Sequence, residues 1–550
     1  MLKTSTDQRG LLANMNVIAQ APGGVARLRE LILTLAVQGK LVAQDASDEP
    51  ASELLKKIRA EKDRLIAERK IKKDKPLPAI TEDEKPFELP VGWTLSCLGE
   101  IGVINPKVTA QDDDICSFVQ MSSISIDFLE KHLSEDRPWK NIKKGFTQFS
   151  NGDVGLAKIT PCFENGKSTV FEDLKSNAGA GTTELHIVRP LAGINPRYIL
   201  AFLKTPAFLK NGESVMTGSA GQKRVPRSYF ESAPLPLPPL AEQSRIVARV
   251  EELMRLCDAL EEKGRLEQTQ HQQLLQAMLD SLTQTTDADE LARHWQRLAQ
   301  HFDLLIDRPE AVDALEQTIL QLAVRGLLVP QEPSDEPAYK SLLSINDAKN
   351  LSDKRDIDFI FLDGDVTDLP NGWCRASVAA LAYCLDYMRK PVKKDLRGGD
   401  NAKYPYYGAN GQVGYIEDYI FDEDLVLVVE DETFIGRLKP FSYFISGKSW
   451  VNNHAHVLRA KEGIIPQYLN MCLERYDFVP ITSGTTNRRK LTKKGLLSAQ
   501  LIFPPLAEQS RIVARVTELR ALCQQLRDKL TQARTTQTQL AQAWVEQVAA

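Results

Sequence analysis

Apolar residues recur in steps of four and three along two stretches of this chain. The first carries Ile246, Val250, Leu253, Cys257 and Leu260; the second carries Ile512, Val516, Leu519, Cys523, Leu526 and Leu530, then Leu540 and Trp544. This heptad-like spacing predicts helices with one apolar seam that expects a partner helix. Pro239 suits a first turn and Glu242 suits the positive end of the helix dipole. A helix of roughly 40 residues at 1.5 Å per residue spans about 60 Å, longer than the core of a small domain requires, so each reads as a spacer. A shorter stripe, Leu28, Ile32 and Leu35, returns as Leu315, Ile319 and Leu322, and glycines suited to a helix end follow at Gly39 and Gly326. The second short helix follows the first long one directly, which predicts an antiparallel pair in mid-chain. By the same pattern the first short helix pairs with the last long one, bringing the chain ends together about a pseudo-twofold axis.

Between these helices the period shortens. "TELHIVRP" and "DLVLVVEDETFIGRL" read as strands, and "YYGANGQVGY" as a turn between strands. The run from Lys56, "KKIRAEKDRLIAERKIKKDKPLPAITEDEKPFELP", reads as a solvated helix followed by a Pro-punctuated linker.

The same frame occurs twice. "LAVQGKLVAQDASDEPA" from Leu35 returns as "LAVRGLLVPQEPSDEPA" from Leu322, "LPVGW" from Leu89 as "LPNGW" from Leu369, and "PPLAEQSRIVARV" at Pro238–Val250 recurs unchanged at Pro504–Val516. The offsets are 287, 280 and 266 residues, so the frame repeats in order while the segments inside it differ. The expected fold is α+β: two mixed α/β domains separated by long, antiparallel, coiled-coil-like helices, with a pseudo-twofold internal repeat. Its parts are a helical arm and charged linker over 1–88, a first domain over 89–237, a central helical spacer over 238–345, a linker and second domain over 346–503, and a C-terminal helical spacer over 504–550.

Composition narrows the function. A chain of 550 residues holds about three to five structural units. Its apolar fraction of 43% and charged fraction of 26% are ordinary for a soluble protein, and no apolar run is long enough to span a bilayer. The start "MLKTSTDQRG" has no secretory pattern, which places the chain in the cytoplasm. Eight scattered cysteines form no CxxC pair and suggest neither a disulfide framework nor a zinc cluster. A net charge of -4 offers no global sign of nucleic-acid binding, so any such reading must be local.

Two phosphate-loop near misses, "ENGKST" and "SGKS", have Pro161 and Ser442 where the first glycine is required, which excludes both as ATP sites. Neither the tetrapeptide of amino-methyltransferases nor the carboxylate cluster of nucleases is present. His454 and His456 share a strand face, a metal-ligand spacing that lacks a third ligand and reads better as strand or turn packing. Basic residues collect just upstream of each long helix, in "GSAGQKRVPRSYF" and "GTTNRRKLTKKG", in register at 266 residues. Gln222, Lys223, Arg224, Arg488, Arg489 and Lys490 there can offer charge to phosphate or hydrogen bonds to base edges. "RPWKNIKKGF" and "YMRKPVKKDLRGG" do not register and read as ordinary surface.

These features together resemble the DNA-specificity subunit of type I restriction-modification systems. The doubled "PPLAEQSRIVARV", the "LPxGW" entry, "AKITPCFENGK", "YPYYGANGQVGYI" and "WVNNHAHVL" carry the resemblance across nearly the whole chain. It implies two target-recognition domains held apart by antiparallel helices, each reading half of an asymmetric, bipartite site in double-stranded DNA, and no catalytic centre or bound cofactor. It implies two modification subunits that use S-adenosylmethionine to methylate adenine, and two restriction subunits that use ATP and Mg. It also implies Lys158, Thr160 and Lys167 as DNA-facing residues of the first domain, and Tyr407, Asn410 and His454 of the second. The competing readings are a self-contained modification or restriction enzyme, disfavoured by the missing motifs, and a coiled-coil adaptor that binds only proteins.

Overall fold

The repeated thirteen residues open the two longest helices in a computed structural model of the chain. The structure describes residues 15–549 except 73–76, 78–84, 86, 220, 286–287, 348–359, 362–368, 394–396, 399–401, 433, 438 and 486–487. It divides into two compact units, Met1–Thr269 with Ala533–Ala550, and Gln270–Gln532.

In the first unit, helices α1 (Gly24–Val37) and α2 (Ala51–Ala67) precede strands β1 (Thr94–Cys97), β2 (Gly102–Ile104), β3 (Ile115–Val119), β4 (Glu135–Pro138), β5 (Thr147–Phe149), β6 (Val154–Ala157), β7 (Ser168–Val170), β8 (Gly179–Gly181) and β9 (Leu185–Pro190). Helices α3 (Pro196–Leu203), α4 (Pro206–Ser214) and α5 (Arg227–Ser232), strand β10 (Pro234–Leu237) and the long α6 (Leu240–Gln284), whose last turns from Gln270 belong to the second unit, follow. The second unit contains α7 (Ala288–Gln300), α8 (Pro309–Val324), α9 (Ala338–Asp347), β11 (Ile360–Phe361), β12 (Cys374–Ser377), β13 (Ala382–Cys384), β14 (Tyr404–Gly408), β15 (Gly411–Ile416), β16 (Phe421–Asp422), β17 (Leu425–Val429) and β18 (Asp431–Glu432). It continues with β19 (Ser442–Ile445), β20 (Lys448–Val451), β21 (Ala455–Ala460), α10 (Pro466–Glu474), β22 (Thr482–Thr485), β23 (Arg488–Leu491), α11 (Lys493–Ser498), β24 (Gln500–Phe503) and the long α12 (Leu506–Ala549), whose last turns from Ala533 belong to the first unit.

The segments that look different in sequence share one topology. The antiparallel sheet β2-β9-β6-β7 of the first unit has the order of β13-β21-β17-β19 in the second. A second sheet, β4-β3-β8-β5, matches β15-β14-β20-β16, and its central pair is parallel in both units. An antiparallel pair carries the chain into and out of each domain, β1 on β10 and β12 on β24. The second unit adds β11 and the sheet β18-β23-β22.

The repeated anchors meet at one junction in each unit. Trp93 Nε1 donates to Glu242 Oε2, and Trp373 Nε1 to Glu508 Oε2, both at 3.0 Å. Arg245 reaches Asp48 at 2.6 Å and Arg511 reaches Asp335 at 2.5 Å. Gln243 Oε1 accepts from the Asn195 amide at 3.0 Å, ahead of α3, and Gln509 Oε1 from the Ile465 amide at 3.2 Å, ahead of α10. Gly39 and Gly326 have positive φ, and a Cβ there would lie 2.5 Å from Pro90 and 2.8 Å from both Pro370 and Trp373. Each polar letter of "AEQSR" other than the serine therefore holds another repeated or equivalent segment, which is why the stretch recurs unchanged.

Ile246, Val250, Leu253 and Cys257 are buried with Leu28, Ile32 and Leu35 in the first unit's core, and Leu260 packs against it. Ile512, Val516 and Cys523 are buried with Leu315, Ile319 and Leu322 in the second, flanked by Leu519, Leu526 and Leu530. Two expectations change. The short helix does not follow the first long helix directly, because α7 intervenes and packs Leu291, Trp295 and Leu298 into the same core. Leu540 is 65% exposed, and Ala541, Trp544, Val545 and Val548 join the first unit's core instead. Ala541 stands eleven residues past Leu530, and eleven residues nearly complete three turns of an ordinary α-helix, so the apolar face advances by one. The chain just past the first short helix meets the last long one, since Lys40 Nζ donates to the Ala549 carbonyl at 3.1 Å, while the apolar stripe of the short helix is buried with the seam of α6. The short helix is also tied to the long helix of its own repeat, through Arg29 and Asp258 at 2.6 Å.

Burial pushes the Glu508 carboxyl up from 4.5 to about 7, and Glu242 shifts the same way for the same reason. A folded state that keeps a proton the unfolded chain has released is favoured below the unfolded value, and that contribution fades as pH rises through 7. Glu508→Gln keeps an acceptor for Trp373 and cannot ionise. Its melting temperature relative to the parent should climb by about 2–4 °C between pH 5 and pH 8 in calorimetry; a difference independent of pH would contradict the assignment.

Candidate functional site

The polar candidates gather where three backbone segments meet at the open end of each central sheet. In the first unit the chain leaving β6 is bonded to the start of β9, Lys158 N–H to the Glu184 carbonyl at 2.9 Å, and receives the Val225 N–H on the Lys158 carbonyl at 2.8 Å. In the second, Glu430 N–H bonds to the His454 carbonyl at 3.1 Å, and Leu491 N–H to the Glu430 carbonyl at 2.8 Å. Position by position, Lys158 corresponds to Glu430, Glu184 to His454, and Arg224 to Lys490. The backbone frame is the same; the side chains are not.

The first unit places a bidentate pair here, with Arg224 donating to Glu184 at 2.9 and 3.0 Å. That bond holds the Glu184 carboxyl below the usual carboxylate range. Thr160 is knitted to the neighbouring strand: its amide donates to the Lys223 carbonyl at 3.0 Å, and its Oγ1 accepts from the Lys223 amide at 3.1 Å. The Gln222 and Lys223 side chains are exposed. Lys167 turns away, and its Nζ donates to the Met121 carbonyl at 3.0 Å. Nearby, buried Lys204 donates to the Ile126 and Gly166 carbonyls at 2.8 and 2.9 Å, and burial lowers its ammonium to about 7.

The second unit keeps a basic residue at the Arg224 position but moves its acidic partner, with Glu430 standing where the first unit has Lys158. Lys490 pairs with Glu430 at 2.9 Å, and His454 Nδ1 lies 2.8 Å from Asp431. Arg389 also binds Glu430. Burial opposes ionisation of Glu430, but Arg389 and Lys490 together hold it below its ordinary value. Arg489 is committed to structure, donating to Thr482 Oγ1 at 2.7 Å, the Thr482 carbonyl at 3.0 Å and the Val479 carbonyl at 3.2 Å. The Arg488 backbone lies in β23, opposite Thr485; its side chain is outside the described residues. Tyr407 reaches the site through Asn452, whose amide donates to the Tyr407 carbonyl at 3.0 Å and whose Oδ1 accepts from the His454 amide at 2.8 Å. Asn410, on the exposed β14–β15 turn, accepts from Arg437 at 2.8 Å. The structure thus brings Lys158, Thr160, Gln222, Lys223 and Arg224 together in one unit, and His454, Arg489 and Lys490 in the other. Lys167 and Asn410 stand apart from these groups.

Beneath each site sits a histidine in a structural role. His186 Nε2 lies 3.1 Å from the Val225 carbonyl and His456 Nε2 2.8 Å from the Leu491 carbonyl. Burial lowers the His186 ring to about 4. His456, Asp386 and Cys384 bring nitrogen, oxygen and sulfur within 4.8 Å of one another. His456 Nδ1 faces Asp386 at 2.6 Å, and Arg389 is 3.3 Å from the same carboxylate, so a guanidinium already occupies the surroundings a metal would share. Glu184, Glu430, Asp431 and His186 are absent from the sequence-based candidates, and His456 figures there only as a possible metal ligand better read as strand or turn packing. "HIVRPLAGINPRY" and "HVLRAKEGIIPQY", in register at 270 residues, are the signal that could have found the two histidines.

Beneath the second site the Cys384 thiol lies near His456, but burial pushes it up to about 11, so it is not an activated nucleophile. What each site presents is a rim of donors and acceptors on a repeated frame. A family model for the type I restriction modification DNA specificity domain matches residues 90–271 and 386–533. The chain belongs to this family. It is 42% identical to the type I restriction enzyme EcoAI specificity subunit of Escherichia coli, covering 94% of this chain and 93% of that one. It is 39% identical to the EcoEI specificity subunit of the same organism over the same shares. A solved chain from work on complex assembly and conformational transition of the type I R-M system shares the fold at a TM-score of 0.51, with 17% identity over 84% of this chain and 99% of that one. As a specificity-family member the chain is non-catalytic, in keeping with a site of paired charges and exposed donors.

Arg489→Ala removes three hydrogen bonds, leaving the Val479 carbonyl only its bond from the Thr482 hydroxyl, and should cost about 1–3 kcal/mol, with faster amide exchange across residues 479–491. Lys223→Ala should change stability by less than about 0.5 kcal/mol. Equal effects in melting and exchange would contradict the division between structural and exposed groups.

Proposed function

We propose that each α/β unit reads one half of an asymmetric, bipartite site in double-stranded DNA, with residues 89–237 and 346–503 as target-recognition domains and residues 238–345 and 504–550 as the spacer. The observation that carries this reading is the twofold frame with unlike side chains at equivalent points: Lys158, Glu184 and Arg224 in one unit against Glu430, His454 and Lys490 in the other. A protein reading one sequence twice would keep these alike. Base edges in the major groove differ in their donors and acceptors, so unlike rims suit unlike half-sites. Lys158, Thr160, Gln222, Lys223 and Arg224 form the proposed surface of the first reader, with Lys167 supporting it from behind. Tyr407, Asn410, His454, Arg488, Arg489 and Lys490 form that of the second, with Arg489 shaping the strand that presents Lys490.

The chain acts in the cytoplasm with two modification subunits, which bind S-adenosylmethionine and methylate adenine. Two restriction subunits add ATP- and Mg-dependent cleavage. The spacer seam (Ile246, Val250, Leu253, Cys257 and Leu260; Ile512, Val516, Leu519, Cys523 and Leu526) sets the gap between half-sites, as protein geometry does in dimeric DNA binders.

Two measurements test this. A genome-wide map of methylated adenine, in cells with the modification partner plus or minus this chain, should show a bipartite motif with a fixed gap only when the chain is present. Replacing Trp93–Glu231 with the matching segment of another family member should then change one half of that motif; a change in both halves would defeat the two-reader model. In the assembled complex, Lys223→Ala should weaken binding alike across sequences and reduce the salt slope by about 1.

A further inference from the structure

The apolar seams of the two repeats are interchangeable. Leu28, Ile32 and Leu35 of α1 are the same letters as Leu315, Ile319 and Leu322 of α8, and the five seam residues of α6 match those of α12. Apolar burial is non-directional and cannot decide which short helix docks on which long one. The charges beside the seam can.

In the first unit, Arg29 on the short helix binds Asp258 at 2.6 Å and Glu261 at 2.9 Å on the long helix. By the repeat offsets, the position of Arg29 is Glu316 in the second unit, and the position of Glu261 is Arg527. These two meet at 2.8 Å with the signs exchanged, and Arg527 also binds Asp313 at 2.8 Å. Arg520, at the position Met254 holds in α6, adds a contact to Glu316 at 3.0 Å. One pair of equivalent sites is thus bridged in both units with opposite polarity.

We propose that this reversal is a pairing code that assigns α1 to α6 and α8 to α12, and rejects the exchange within a chain or with a second copy of it. Docked on the α12 seam, α1 would set Arg29 against Arg520 and Arg527. Docked on the α6 seam, α8 would set Asp313 and Glu316 against Asp258 and Glu261. The Arg29 and Arg527 side chains are only 22% and 23% exposed, so solvent and salt screen these encounters less than they would at an open surface. Between the helices themselves the same polarity in both units would serve as well; Asp127 beside Arg29 and Glu474 beside Arg520 favour the sign each unit carries, and the reversal between units adds discrimination, as introduced repulsion does in specific interfaces.

The test erases the code while keeping the attraction between each short helix and its long helix; the Arg29 contact to Asp127 and the Arg520 contact to Glu474 are lost in the respective variants. Arg29→Glu with Asp258→Gln and Glu261→Arg gives the first unit the polarity of the second. Independently, Asp313→Ala with Glu316→Arg, Arg520→Met and Arg527→Glu gives the second unit the polarity of the first. Ile32→Cys is added to each and to the parent. The full chain is unfolded, refolded and treated with a short bismaleimide, and peptide mass spectrometry shows whether position 32 is joined to Cys257 or to Cys523. The parent should give the Cys257 product, and either same-polarity variant should raise the share of the Cys523 product by roughly tenfold. If both variants refold and give the Cys257 product at the parent's proportion, the proposal is overturned. If one variant fails to refold, the other decides.

Discussion

A buried glutamate carboxyl group held by an indole N–H is the constraint on which the rest of each unit depends. Leaving a polar group unpaired in an apolar interior costs several kcal/mol, so Glu242 and Glu508 bind the positions of Trp93 and Trp373 closely. Those tryptophans lie at the entry of the strand pairs that carry the chain into and out of each domain, and pack near the glycines that end α1 and α8. The next residue, Gln243 or Gln509, steadies the chain ahead of α3 or α10, and Arg245 or Arg511 secures the acidic turn before α2 or α9. A substitution at one member disturbs four segments at once. The divergent parts of the domains can therefore change while their seating does not.

Much of this scaffold was legible because its signals are long or doubled. The seam of each long helix extends over many turns, and the repeated anchors point to one structural place even before contacts are known. The domain interiors were harder to read for a physical reason. Their strands are mostly three to six residues long, and a buried strand asks only for apolar residues that fit. "VGLA" and "LVLVV" therefore occupy the same place in the two topologies with little in common. Helix α7 was missed although Leu291, Trp295 and Leu298 have helical spacing, because the repeat has no second copy of it to draw attention.

The site was legible in part, and the pattern of success follows charge. Basic clusters are visible in a sequence, so Lys223, Arg224, Arg489 and Lys490 emerged. Their acidic partners Glu184 and Glu430 are single residues far away in the chain, and Thr482, though seven residues from Arg489, carries no charge to mark it. Only the fold shows that Arg489 serves a strand while the Gln222 and Lys223 side chains are exposed. The unlike ion pairs also bear on specificity: when Arg224 is held by Glu184, any base contact it makes must compete with a bidentate partner, whereas Lys223 meets no such competitor among the described residues.

The two units differ in how their segments are distributed along the chain. The second is one continuous stretch, but the first draws its final helical turns from Ala533–Ala550. During synthesis from the N-terminus, every residue of the second unit emerges before the first can be closed. Until then, the apolar surface that receives Ala541, Trp544 and Val548 stands open on the nascent chain. The domain translated first is thus the last to be completed, and a chain released a few turns early would carry a finished second unit beside an unsealed first one.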